Sequence, residues 1–585
     1  MTGRIELLTV ILLSSAIASA QNPTRIGLGF GGGYDGEDFI THVDDLGIDH
    51  YHINIKWGWF EPDSGQYQDA VLDAFLDQLP PNSEALIRIS TRGNTLFNDP
   101  ATDHTVPMDL TIGGPYYDLV HHIVSRDTEN KVAYYENEWE FNFTKHWGGE
   151  SNTDPDPVAL GHSYADLTRV TEAAINAANP NAKFIMGGTT RATTQYTDSL
   201  LRTTLADLTS TDSVNGHCDY YDQHLYKDLY SIPSALGWFR DIMDDYPAFA
   251  DKPVFSTESG GPIPSEFALD TALNAQLVSD LSSDYCLLAG DMTGLGYPGH
   301  YRMFAFGVEP ELDAKRDSIQ ANNYIQRTLL GLAHGVERMY TWAFETKWTH
   351  HTSTGSCYVK DMTFGKLALS TTDHDNNFVV TNANFDYYKE FVELFKNTET
   401  VTQDTTLLSQ DIYFFEIETF EQDTFYVVWE KRDQYYGVYD PVVNFSFNTP
   451  WGCVGIKDLF EREESFTVSG GMVDIEINDV PLILTDCDNI VSIGDLHETD
   501  SRPVAIYPNP TSNLINIRSE TDDNVQFNLE IFDMNGRIVR TRTFNSAEGE
   551  NTVKVDMNEL PKGVYQLRIS DRNRLPVVSE RILRH

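Results

Sequence analysis

Between residues 24 and 345, short apolar runs alternate with longer stretches in which apolar positions recur every three or four residues. The short runs predict strands at Arg25–Phe30, His50–Ile55, Ala85–Ser90, Val132–Asn137, Lys183–Gly188, Asp219–Leu225, Pro253–Thr257 and Arg338–Trp342. The longer stretches predict helices. Asp69–Leu79 places Val71, Leu72, Phe75 and Leu79 on one face, and Tyr117–Ser125, Tyr164–Ala178, Ser234–Asp244, Leu269–Ser282 and Ile319–Ala333 follow the same period. Strands that alternate with helices in this number predict an α/β chain folded as a (β/α)8 TIM barrel over residues 21–400. A doubly wound open sheet would carry a glycine-rich phosphate loop after its first strand. The run "GLGFGGGYDG" from Gly27 lacks that spacing and reads as a tight loop at the barrel mouth.

The period changes after a last helix at 382–397. Runs such as "IYFFEIETF", "FYVVWEK", "VNFSFN" and "VDIEIN" alternate apolar and polar positions, which predicts a β-rich module, a sandwich, over residues 401–488. A polar linker is expected at 489–504. A third strand-rich unit, 505–585, contains "YPNPTSNLINI", "LEIFDMNGRIV" and "LPKGVYQLRI", and Asn535-Gly536 within it is a hairpin-turn signal. In the order of Tyr-Pro-Asn-Pro, Asn-Gly-Arg and Gly-Val-Tyr, this unit resembles the C-terminal sorting domain of the type IX secretion system of Bacteroidetes-like bacteria. The resemblance implies a small β-sandwich that serves as an export address, with the secretion machinery as its partner. An accessory sugar-binding module is the alternative reading of the same strands.

The N-terminus fits such an address. Arg4, the apolar run Leu7–Leu13 and the small residues Ala18-Ser19-Ala20 have the form of a signal peptide over residues 1–20. That run is too short to span a bilayer, and no membrane span is expected. The chain is therefore expected to be secreted or attached to the cell surface. A formal net charge of -47, from 88 acidic and 41 basic residues, repels nucleic acid and excludes it as a partner. Five cysteines in 585 residues are too few for a disulfide scaffold; Cys453 and Cys487 flank one set of strands and could pair. No Cys/His set has zinc spacing and no Asp-rich loop has calcium spacing, so neither a metal nor a cofactor is expected.

In a barrel of this kind, chemistry sits where the strands end. Strand four ends at Asn137-Glu138 within "YYENEWEF", and strand seven ends at Thr257-Glu258 within "KPVFSTESGG". Strand six carries His224 and Tyr226, strand eight ends at Trp342, and strand two carries His52 and runs into "WGWFEPDSGQY" at Trp57. Two glutamates facing each other across a barrel mouth suit retaining glycoside hydrolysis, in which one donates a proton and the other attacks the anomeric carbon.

These residues resemble the clan A glycoside hydrolases. "ENE" at 136–138 is similar to family 35, and Trp57, Glu61, Pro62, Gly65 and Tyr67 are similar to the pattern in families 42, 5 and 39. The resemblance implies that Glu138 is the acid/base and Glu258 the nucleophile. It further implies that Asn137 binds the sugar 2-hydroxyl, Tyr226 supports the nucleophile and Trp342 is the sugar platform. Two departures leave the sugar open. Trp139 stands where a proline commonly follows the glutamate, and His52 stands where many members carry arginine. Glu136 is expected one layer deeper, paired with Arg88 or Lys56. Glu140 is expected past the rim, as a solvated loop residue or a hydroxyl binder. His224 is as readily a barrel hydrogen-bonding residue as a site residue. Of Trp57, Trp59, Trp139, Trp147, Trp342 and Trp348, some are expected in the core and some along a groove. The expected substrate is a β-linked plant or algal polysaccharide or its oligosaccharides. A non-catalytic surface glycan-binding protein on a barrel scaffold is the alternative.

Overall fold

The computed structural model describes most of residues 24–487 and 504–584. The main stretches outside the description are 1–23, 30–45, 263–309, 347–366, 373–377, 433–441 and 488–503. The signal-peptide reading, the helix expected at Leu269–Ser282, the linker, Trp348 and the Asn535-Gly536 turn all lie outside the described residues.

Eight parallel strands close into a barrel in chain order. They are β1 (Ile26–Gly29), β2 (Tyr51–Lys56), β3 (Ala85–Ser90), β4 (Val132–Asn137), β5 (Lys183–Thr189), β6 (Tyr220–Gln223), β7 (Val254–Ser259) and β8 (Val336–Trp342). Helices α1 (Asp69–Gln78), α2 (Pro115–Arg126), α3 (Pro157–Ala178), α4 (Gln195–Ser210), α5 (Ile232–Asp244), α6 (Pro310–Ala333) and α7 (Ala383–Phe395) accompany them. Local chemistry sets several of the helix starts. Asp156 caps α3 by accepting from the Val158 amide at 2.9 Å, and Pro157 follows at the first helical position.

Helix α4 was not among the helices expected from the sequence. Its apolar face, Leu200, Leu201, Leu205 and Leu208, is diluted by threonines that argue against a helix. Their hydroxyls turn back to carbonyls four residues earlier, Thr203 to Ser199 at 2.8 Å and Thr209 to Leu205 at 2.7 Å, so the polar groups are satisfied within the helix.

The barrel interior is layered. Its floor is apolar, built from Leu86, Tyr134, Ile185, Phe255 and Tyr340. Side chains on one strand face the interior at every second residue. The layer above Leu86 and Tyr134 therefore takes Arg88 and Glu136, which sit opposite each other in the β3–β4 register. Strand β1 leaves room for this filling. Gly27 and Gly29 pair with Tyr340 and Trp342, and a Cβ on Gly29 would lie 2.9 Å from the Trp342 ring. The glycine-rich run thus begins as a strand that admits two large rings.

The β-rich module shares a core with the barrel. Phe415, Ile417, Val427, Trp429 and Ile483 belong to the same buried cluster as the barrel helices. Tyr230, just before α5, packs on Tyr413 at 4.9 Å between ring centres, and Gln326 of α6 donates to the Asp479 carbonyl at 3.0 Å. The module's main sheet has six strands, and a disulfide joins Cys453 to Cys487. The C-terminal strands form sheets of three and four strands around a separate core that includes Ile517, Leu529, Ile531 and Leu567. Among the described residues no helix is long and apolar enough to cross a membrane.

These two kinds of core predict opposite truncation outcomes. A chain ending near Asp488 should unfold at the same urea midpoint as the barrel of the full-length protein. A chain ending near Asn397 loses Phe415 and Trp429 from the barrel's core, so it should aggregate or melt with a lowered midpoint. Equal midpoints for the two truncations would show that the module lends the barrel nothing.

Candidate active site

Arg88 is the centre of the site. It is wholly buried, and its guanidinium reaches three ways. Nη1 donates to Glu258 Oε1 at 2.5 Å, Nη2 donates to Thr257 Oγ1 at 2.6 Å, and Nε lies 3.0 Å from Glu136 Oε2. Burial disfavours the charge on this arginine, but the carboxylates of Glu136, Glu258 and Asp222 around it outweigh burial and raise its pKa.

Strand β7 breaks register to present two successive residues. Its pairing with β8 shifts between Ser256 and Ser259, and in that bulge both Thr257 and Glu258 reach the interior. Glu258 also accepts from the Tyr226 hydroxyl at 2.9 Å, the support expected of Tyr226. His224 lies 3.5 Å from the same carboxylate oxygen.

Both His224 nitrogens face carboxylates, Asp222 at 3.0 Å and Glu140 at 2.9 Å. Burial disfavours the charged ring, but Glu258 and Asp222 outweigh it and raise the His224 pKa well above its ordinary value. It is an imidazolium, with both nitrogens donating. Asp222 also accepts from the Thr257 amide and hydroxyl at 2.7 and 2.8 Å. Its close approach requires Gly188, where a Cβ would lie 2.2 Å from Asp222 Oδ2.

Glu138 is held apart from this cationic cluster. Its carboxyl group meets the Ser90 hydroxyl at 3.0 Å, the Trp139 amide at 3.1 Å and the Thr91 amide at 2.8 Å. Thr91 Oγ1 lies 2.5 Å from Glu138 Oε2 and also 2.5 Å from the Thr105 carbonyl oxygen. A threonine hydroxyl has one proton and the Thr105 carbonyl only accepts. The two contacts compete for that one proton, which weakens the hydroxyl's bond to Glu138. Burial points the same way and raises the Glu138 pKa against the hydrogen bonds from Thr91 and Ser90.

Glu140 is in the site. Oε1 pairs with His224, Oε2 lies 3.6 Å from His146 Nε2, and the side chain is 15% exposed. Burial would raise its pKa, but the bond to His224 and the His224 and His146 charges lower it. The solvated-loop alternative for Glu140 is therefore replaced by a paired, inward placement. Glu138 and Glu140 both adopt left-handed backbone, φ 56 and 47, which curls the chain inward after β4 ends. Glu136, beneath them, is paired with Arg88 and has its pKa pushed well up by burial.

The structure corrects two expected substrate contacts. Asn137 points away from the mouth. Its Oδ1 accepts from the Gly187 amide at 2.9 Å and the Tyr164 hydroxyl at 3.1 Å, and its Nδ2 donates to Thr168, which ties β4 to α3. The period-two alternation of β4 places it opposite to Glu136. Trp57 is core, not groove. It is fully buried, stacks on Phe97 at 5.5 Å and donates to Glu61 at 2.7 Å. Trp147 is buried as well. Trp342 lies 6.2 Å from Trp139 and 6.5 Å from His52, so these three rings share one wall. Trp139 stacks on His146 at 4.9 Å and covers the Arg88 guanidinium at 5.7 Å. His52 is wholly buried, and burial with the nearby Arg88 charge keeps it neutral.

Two groups among the described residues bring three potential ligand atoms within 4.8 Å: Glu136, Asp222 and His224, and Glu140, His224 and Glu258. Both depend on His224. His224 already pairs with Asp222 and Glu140, and Arg88 supplies positive charge beside them.

Residues 505–583 match the secretion system C-terminal sorting domain, so the chain carries that domain at its C-terminal end. No curated protein matches the chain. Its structure is similar to a family 39 glycoside hydrolase from the gut symbiont Bacteroides cellulosilyticus WH2 (14% identity, 79% of this chain and 81% of that one covered, TM-score 0.49). It is also similar to a glucosidase from Croceicoccus marinus (12% identity, 91% and 93% covered, TM-score 0.43). A third similar structure is a Paenibacillus polymyxa xyloglucanase of glycoside hydrolase family 44 (11% identity, 79% and 97% covered, TM-score 0.41). At these scores the likeness carries no argument about activity.

Replacing Arg88 tests the centre of this arrangement. Arg88→Met removes the cation from Glu258, Glu136 and Asp222 together, so it should destabilise the fold by about 3–5 kcal/mol in urea unfolding at pH 7. Arg88→Lys keeps the charge but loses the fork, so it should recover part of that loss. An unchanged urea midpoint in Arg88→Met would show that the carboxylates need no cation.

Proposed function

We propose that this chain is a secreted retaining glycoside hydrolase that cleaves β-glycosidic bonds of a plant or algal polysaccharide or its oligosaccharides. The observation that carries the reading is that the two glutamates at the ends of β4 and β7 have opposite surroundings. Glu258 accepts from the Arg88 guanidinium and from the Tyr226 hydroxyl. Glu138 accepts from hydroxyls and amides, and burial raises its pKa toward the protonated form. That division of labour is what double displacement needs.

In the first step a Glu258 oxygen bonds to the anomeric carbon. The bond from that carbon to the leaving oxygen breaks, and Glu138 gives its proton to the leaving oxygen. In the second step Glu138, now an anion, takes a proton from water as the water oxygen attacks the same carbon and releases Glu258. Arg88 and Tyr226 orient the nucleophile and accommodate its change of charge. Trp139, which covers the Arg88 guanidinium, and its neighbour Trp342 offer aromatic faces on which a sugar could stack. The sorting domain supports export through type IX secretion, with release to the medium or attachment to the cell surface.

Two variants test the roles. Glu258→Gln should lose hydrolysis by at least about a thousandfold with folding unchanged, because an amide does not form the glycosyl-enzyme bond. Glu138→Ala should retain more activity on an aryl glycoside with a good leaving group than on a natural glycoside, and azide should accelerate it. Failure of azide, with equal losses on both substrates, would move the acid/base role to Glu140 or Glu136.

The pH profile is a separate check. Glu138 reacts as the protonated form, so activity falls as pH rises through its pKa. Burial raises that pKa, which places the alkaline limb of kcat/KM above the ordinary glutamate range near 4.5. Glu138→Gln should abolish the limb; a limb that persists belongs to another group.

Secretion tests the tail. A chain ending near Asp488 should hydrolyse soluble substrate at close to the full-length rate and accumulate in the periplasm of a type IX-competent host. Its appearance in the medium would refute the address role, and selective loss of binding to insoluble polysaccharide would favour a sugar-binding module instead.

A further inference from the structure

Glu140 is not needed for either step just described, yet the chain brings it into the site. Left-handed backbone at a non-glycine residue is uncommon and clusters at functional sites. Here it occurs at Glu138 and again two residues later at Glu140. The effect is to bring one Glu140 carboxylate oxygen within 4.8 Å of one on Glu258. Of these two glutamates, Glu140 has the better access to solvent, its side chain being 15% exposed against 3% for Glu258. Its Oε1 is fixed by His224 at 2.9 Å, while Oε2 lies 3.6 Å from His146 Nε2, beyond hydrogen-bond reach, and has capacity to accept from a ligand.

The nucleophile defines what stands near this oxygen. Glu258 attacks the anomeric carbon, so an acceptor a few ångströms away faces the atoms bonded to that carbon. In an aldopyranoside these neighbours are the ring oxygen and the glycosidic oxygen, which only accept, and C2. A carboxylate requires a donor, and the 2-hydroxyl is the donor available there. Asn137, expected to serve the 2-hydroxyl, is committed to Tyr164, Gly187 and Thr168 instead.

We propose that Glu140 is the residue that binds the substrate's 2-hydroxyl beside the reacting carbon, oriented for it by His224. The inference rests on the glycosidase reading above and goes beyond it by committing the site to sugars bearing a free hydroxyl at C2. Its lowered pKa keeps Glu140 an acceptor through the working pH range. A charge-assisted bond of this kind strengthens as charge develops at the adjacent carbon.

The test uses the full-length protein and a panel of 4-nitrophenyl β-glycosides with gluco, galacto, xylo and manno configurations. The best of these is then compared with its 2-deoxy counterpart. Glu140→Ala should lower kcat/KM on the 2-hydroxy substrate by about 100-fold and on the 2-deoxy substrate by less than about threefold. Glu140→Gln keeps the volume and one acceptor, so it should fall between wild type and Glu140→Ala; it serves as the readout should the alanine variant not fold. Equal losses on both substrates overturn the proposal and leave Glu140 as a holder of His224. Azide rescue of Glu140→Ala overturns it in favour of an acid/base role. Wild-type protein that cleaves no member of the panel sinks the glycosidase reading and this inference together, a pattern distinct from either.

Discussion

A buried arginine surrounded by carboxylates organises this barrel. Arg88 rises from an apolar strand, between Ile87 and Ile89, into an interior where an isolated charge would be prohibitive. It is tolerated because Glu258, Glu136 and Thr257 meet three separate nitrogens of its fork. Glu136 comes from β4 and Thr257 and Glu258 from β7, so the one residue ties β3 to both strands. The same contacts fix the rotamer of Glu258, which makes the stability of the barrel and the placement of this carboxylate one problem.

Charge balance explains the neighbours. Arg88 and His224 supply two positive charges against Glu258, Asp222, Glu140 and Glu136. Burial pushes the Glu136 pKa well up, and a neutral Glu136 leaves one excess negative charge in the cluster. Such an excess suits the proposed glycoside hydrolysis, in which positive charge builds on the anomeric carbon. Glu138 avoids adding to the anionic total because its contacts are hydroxyls and amides at the ends of β3 and β4, not cations. Glu138 and Glu258 thus stand in different electrostatic surroundings, one among hydroxyls and amides and the other against a buried cation.

Much of this was legible in the sequence because it depends on period and order. The eight strand positions follow from apolar runs, and Glu138, Glu258 and Tyr226 follow from which residues end them. Arg88 carried a signal as well, a charge inside "ALIRIS", though only its pairing with Glu136 was foreseen. Other features depend on departures from period. The bulge at Thr257-Glu258 turns two adjacent side chains inward, which alternation forbids. Asn137 was misread because a motif was followed where strand alternation pointed outward. Trp57 was misread because a tryptophan near a strand end looks the same whether it stacks on a sugar or on Phe97. Helix α4 was hidden by threonines whose hydroxyls bond within the helix.

The turn after β4 shows how these departures work together. In a continuing strand, Glu136, Glu138 and Glu140 would stack on one side and repel. The strand ends at Asn137 instead, and left-handed residues at 138 and 140 send the next two carboxylates in different directions. Glu138 goes to Ser90 and Thr91 on the β3 side, and Glu140 to His224 after β6. Each such residue costs roughly 1–3 kcal/mol of backbone strain. The hydrogen bonds to Glu138 and the Glu140–His224 pair offset that cost only while both side chains are in place. The strain is therefore stable in this fold because the carboxylates it separates are the ones that anchor it.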